Sequence, residues 1–143
     1  MNKTRLLIAL RICLPLSYAA EDENGFVRLT PDEFTFSGDS DGPQMMLVSG
    51  DPAEEGFYIL RAKFPPGTFS RPHYHSTDRH VTVIQGTWYT GTDDSFDRDK
   101  TVPLEPGSYM MHPAGAVHYD GAKDQEVIVE IKGIGPASTI FLE

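Results

Sequence analysis

The residues that most restrict this chain are its turn formers. Thirteen glycines and eleven prolines cut it into runs too short for ordinary helices, and the runs are rich in Thr, Val, Phe and Tyr. Short β-prone segments bounded by Gly and Pro predict an all-β domain. The clearest spans 126–132, where Val127, Val129 and Ile131 share one face. Residues 57–64 alternate in the same way, with Tyr58, Leu60, Ala62 and Phe64 opposite Arg61 and Lys63. Further strands are expected over 26–29, 44–48, 81–84, 87–90, 101–104, 108–111, 116–119 and 138–142, roughly eight to ten strands in all. Thr30-Pro31-Asp32-Glu33 carries the chemistry of a helix start, with room for one turn. Such a set of strands closes into a β-barrel or a jelly roll.

At 143 residues the chain suits one domain with a real core. Its first residues stand apart. Lys3 and Arg5 precede the apolar Leu6-Leu7-Ile8-Ala9-Leu10, and Ser17 and Ala19 supply the small residues of a cleavage site. This is the layout of a secretory signal over 1–19, interrupted by Arg11, ahead of a single domain over 20–143. The expectation is a periplasmic or secreted protein; an N-terminal helix that stays attached is the alternative, and the protein is then cytoplasmic. The segment is too short and too charged to span a bilayer. Removing it takes away three cations and Cys13, the one cysteine, and moves the net charge from −9 to −12. No disulfide or thiol chemistry then remains. So acidic a chain excludes nucleic acid as a partner, because binding phosphates needs clustered Lys and Arg. The aspartates at 93, 94, 97 and 99 lack the spacing of a calcium loop and read as a solvated turn.

The five histidines, His73, His75, His80, His112 and His118, all fall within 46 consecutive residues. Imidazole is the commonest ligand of borderline transition metals, so their concentration points to a metal site. His73 and His75 are two apart, and on a strand both project from one face. His118 is the natural third ligand, carried into another short strand by the turn at Pro113-Ala114-Gly115.

Two spaced segments carry a family resemblance. Gly67-x5-His73-x-His75-x3-Arg79-x6-Gly86 resembles the first motif of the cupins, and Gly107-x5-Pro113-x-Gly115-x2-His118 resembles their second. The motifs cover residues 67–122, and the strand pattern extends the likeness over about 26–142. The resemblance implies a double-stranded β-helix of antiparallel strands, often a homodimer. It also implies one divalent ion (Fe, Mn, Ni or Zn) held by His73, His75 and His118. The sequence departs from the pattern twice: Arg79 stands where the family has its glutamate ligand, and Ala122 where it has an asparagine. A regular register puts Arg79 inside, as an anion-holding group beside the metal, and His80 outside. A one-residue shift at Ser76-Thr77-Asp78 reverses this and lets His80 replace the glutamate. His112 is a candidate general base or hydrogen-bond donor, or simply a hydrogen-bonded core histidine. Tyr58, Trp88, Tyr109, Met110 and Met111 line a pocket or fill the core.

Three functions are open at this level. One is a divalent-metal enzyme of dioxygenase or isomerase type acting on a small oxygenated or anionic molecule. Another is a binding or sensing barrel for a small ligand, with or without metal. The last is a structural barrel.

Overall fold

The computed structural model describes residues 21–143, and the expected signal segment lies outside them. Ten strands follow one another: β1 (Gln44–Ser49), β2 (Gly56–Phe64), β3 (His73–His75), β4 (Arg79–Gln85), β5 (Trp88–Gly91), β6 (Val102–Leu104), β7 (Tyr109–His112), β8 (Tyr119–Gly121), β9 (Val127–Gly135) and β10 (Thr139–Phe141). They form three antiparallel sheets, ordered β1-β2-β9-β4-β7, β6-β5-β8 and β10-β3. Among the described residues the helices are two single 3₁₀ turns, Pro31–Glu33 and Arg98–Lys100. None is long and apolar enough to cross a membrane.

Alternation builds the core. Leu60, Ala62 and Phe64 of β2 face Ile131, Val129 and Val127 of β9, and Val81 and Val83 of β4 face Ile131 and Val129 from the other side. All eight are buried. Fully burying side chains of this size stabilises by about 1.5–3 kcal/mol each. The opposite face of β2 is polar: Arg61 pairs with Glu130 at 3.0 Å and lies over the Phe34 ring.

Two strand expectations need correcting. Residues 26–29 form no strand; Val27 makes one isolated bridge with Glu21. The Asp22 carboxylate accepts the backbone N–H of Asn24 and of Phe26, drawing the chain into a turn instead. The strand expected over 116–119 begins only at Tyr119, because a turn closed by Ala116 N–H on the Pro113 carbonyl consumes the residues before it. At Pro31–Glu33 the expected helix start is a single turn, with the Glu33 carboxylate accepting the Thr30 N–H at 2.7 Å.

Candidate metal centre

Short strands clamped on both edges position the three motif histidines. His73 and His118 exchange backbone hydrogen bonds, both 2.9 Å long. On its other edge β3 pairs with β10, Thr139 opposite His75 and Phe141 opposite His73. The rings of His73, His75 and His118 are buried, with centroids 4.3 to 5.0 Å apart. One nitrogen of each lies within 4.8 Å of the others.

The hydrogen bonds fix which nitrogen is free. His73 Nδ1 donates to the Arg71 carbonyl at 2.7 Å, and His118 Nδ1 donates to the Ala116 carbonyl at 3.0 Å. A carbonyl only accepts, so the ring proton sits on Nδ1 and the Nε2 lone pair points into the site. His75 Nδ1 is tied to the Thr139 hydroxyl at 3.1 Å. His118 Nε2 is buried and has no hydrogen-bond partner. An orphaned lone pair beside two further imidazoles is what a borderline divalent cation satisfies, and the donor set fits such an ion.

The electrostatics agree with neutral ligands. Burial pushes all three imidazoles below the usual histidine range, and the charge of Arg79 pushes in the same direction. His112 is lowered to about 3, first by burial and then by His118, His73 and Arg79.

Beside the histidines, one row crosses the large sheet: Tyr58 of β2, Gly133 of β9, Arg79 of β4 and His112 of β7 are successive cross-strand partners. Arg79 is 8% exposed and His80 is exposed. The pairing of β4 with β9 stays regular from Arg79 to Val83 and shifts only after it, which turns Arg79 inward and His80 out. His80 Nδ1 meets the Tyr109 hydroxyl at 2.7 Å on the outer surface, so neither residue reaches the centre. Met111 is exposed as well, and Met110 packs against the core. Tyr58 and Trp88 are fully buried on the inner side. A Cβ at Gly133 would stand 2.5 Å from the Tyr58 hydroxyl, so the glycine makes room for the phenol next to Arg79. Tyr58 Oη, Arg79 Nε, Trp88 Nε1 and His112 Nε2 are all buried without a hydrogen-bond partner.

Asp120 also belongs to this region, and sequence reasoning missed it. It is buried, and its carboxyl is raised to about 6, mainly by desolvation. With His112 and His118 it forms a second trio able to hold an ion. The signal was available: His118-x-Asp120 repeats the spacing of His73-x-His75. The aspartates at 93, 94, 97 and 99 form no such group among the described residues. Two surface recesses lie elsewhere, one lined by Thr77, Asp78, His80 and Gly133, the other by Arg71, Phe96 and Leu142 among others.

Comparison with known proteins gives concordant matches. Residues 33–135, well over half of the chain, match the family described as Domain of unknown function (DUF4437). A stretch of 65 residues, 45% of the chain, is 34% identical to Germin-like protein subfamily 3 member 2 of Arabidopsis thaliana, and spans only 29% of that protein. A cupin 2 domain-containing protein from Halorhodospira halophila superposes with a TM-score of 0.61 at 17% identity, over 75% of this chain and 74% of that one. The polyketide cyclase RemF from Streptomyces resistomycificus gives 0.64 at 16% identity, over 82% and 87%. At such identities the structural likeness is one of fold.

Proposed function

We propose that the chain, a member of the DUF4437 family with the double-stranded β-helix fold of cupin-like proteins, is a divalent-metal enzyme acting on a small anionic or oxygenated molecule. The observation that carries this reading is the unpartnered Nε2 of His118, facing His73 and His75 beside a buried guanidinium. His73, His75 and His118 would hold the ion, which would act as a Lewis acid on a bound oxygen or, if redox-active, support oxygenase chemistry.

The chain's own residues define the rest. Arg79 keeps its charge despite burial and offers a fixed cation to a carboxylate or enolate. The Tyr58 hydroxyl lies beside the guanidinium without a well-formed hydrogen bond and is a further donor on the same side. His112 is neutral, and its unpaired Nε2 is placed to exchange a proton with a bound molecule. Together they suit a reaction that develops negative charge on a small substrate, of isomerase or dioxygenase type.

A non-catalytic binding barrel is the second reading. It is favoured by how closed the cluster is: His73, His75, His112 and His118 are each at most 6% exposed. Export through residues 1–19 is also part of the proposal, to be checked by sequencing the N-terminus of the protein made in a secreting host.

Elemental analysis of the full chain, purified without chelator or immobilised nickel, tests the metal. Near-stoichiometric metal is expected, and none in a folded His73→Ala/His75→Ala/His118→Ala variant. No metal in either protein, even after adding Fe, Mn, Ni and Zn, overturns the reading. Titration with oxalate then tests the anion pocket: binding that is lost in Arg79→Gln supports Arg79 as the anion-holding group, and absence of binding in metal-loaded protein removes that role.

A further inference from the structure

The motif position that supplies a carboxylate ligand in similar proteins holds Arg79 here, so the site as first read has three imidazoles and no anion. The interior nevertheless contains a carboxylate. Asp120 lies two residues after His118 on extended backbone, and both side chains enter the same space. From this geometry, and resting on the metal reading above, we infer that Asp120 is a direct ligand of the ion at His118, the histidine that its trio with His112 shares with the trio of His73 and His75: the carboxylate has moved from the first motif to the strand that follows the last histidine.

The backbone around Asp120 allows its side chain little freedom. Ser70 N–H donates to the Asp120 carbonyl at 2.8 Å, and Asp120 N–H donates to the Ser70 hydroxyl at 3.1 Å. That hydroxyl also reaches Oδ1 at 3.3 Å. Oδ1 is therefore engaged, and Oδ2 lies 3.9 Å from His118 Nε2. The separation is too long for a hydrogen bond. It suits two atoms sharing one ion, since bonds of about 2.0–2.2 Å place neighbouring ligand atoms roughly 3 to 4 Å apart. The Trp88 indole faces the same carboxylate without closing a well-formed hydrogen bond.

Charge points the same way. A fully desolvated carboxylate requires a compensating partner. Arg79 is the nearby cation, yet the two form no ion pair within 4.0 Å among the described residues. A divalent ion at His118 would be that partner. Neutral imidazoles leave the ion its full charge and one carboxylate reduces it to +1, and Arg79 is then free to hold a substrate anion instead of neutralising Asp120.

Cobalt(II) binding by the full chain at neutral pH provides the test, with folding of each variant checked by circular dichroism. Asp120→Cys replaces the oxygen by a thiolate, which gives an intense thiolate-to-cobalt charge-transfer band only when sulfur is bound to the metal. The band is expected in Asp120→Cys and not in Ser70→Cys, which neighbours the site without facing the ion. Asp120→Asn is expected to bind cobalt more than tenfold more weakly and with a shifted d–d spectrum. If wild type binds cobalt, but Asp120→Cys shows no band and Asp120→Asn keeps the wild-type spectrum, Asp120 is not a ligand and the three-histidine site stands. Should Asp120→Cys fail to fold, the spectrum of Asp120→Asn alone decides. If wild type itself binds no cobalt while remaining folded, the metal reading fails and takes this inference with it.

Discussion

Along β2, β9 and β4 one alternation of faces produces two unlike interiors. Towards one end the cross-strand rows are Ala62, Val129 and Val83, then Leu60, Ile131 and Val81. These rows bury only hydrocarbon. The next row in the same sheet is Tyr58, Gly133, Arg79 and His112, and it faces the three-histidine cluster. There, Tyr58, Arg79, His112 and His118 each bury a polar atom without a well-formed hydrogen bond. Leaving such a group unpaired costs about 1–3 kcal/mol. The first interior holds the barrel together. The second is stable in spite of its residues, which points to a ligand as the reason for them.

Substitutions should separate the two. Leu60→Ala is expected to destabilise by about 2–5 kcal/mol in denaturant melts, from lost burial and the cavity left behind. His118→Ala in chelator-treated protein should cost less, about 1–2 kcal/mol, because its Nε2 is already orphaned and the loss is limited to the Nδ1 bond to Ala116 and the ring's packing. Equal losses would break the contrast. Adding Zn(II) or Co(II) at about 100 times its dissociation constant should raise the stability of wild type by about 2.7 kcal/mol. The same increment is expected in Leu60→Ala and none in His118→Ala; a gain in all three would place metal binding outside the cluster.

A smaller effect tests the boundary between the two regions. In Gly133→Ala the new methyl group meets the Tyr58 phenol, and displacing it should cost about 1–3 kcal/mol. Metal content should stay at the wild-type level while oxalate binding weakens, since the phenol moves relative to Arg79 and not relative to the histidines. Loss of metal instead would mean the row and the cluster form one unit. On the outer face, Glu130→Gln weakens partly buried pairs with Arg61 and Lys132 and should cost about 1 kcal/mol.

The legible part of the site was what fixed spacing encodes. An H-x-H pair shares a face on any strand, so the convergence of His73 and His75 could be read directly, and the second motif supplied His118. Arg79 was harder, because its facing depends on whether the turn over 76–78 adds a residue, and no local rule decides that. Asp120 was missed because an aspartate in a glycine-punctuated stretch looks like a turn residue; pairing with Thr90 and with Ser70, 50 residues away, holds it inside. The role of Gly133 was invisible for a similar reason, since a phenol from another strand defines it. The misplaced strand at 26–29 was a local error, where the Asp22 side chain outcompeted a sheet with no neighbour to pair with.

β10 touches the histidine strand along three residues and, among the described residues, has that strand as its one sheet partner, whereas β9 is paired on both edges. Its Thr139 steadies His75, and its Phe141 lies against His73. Fraying of so short an edge strand needs far less than global unfolding. Tightness of binding and speed of exchange would thereby be uncoupled: an ion held at the three histidines could leave by peeling one short edge strand while the barrel stays closed.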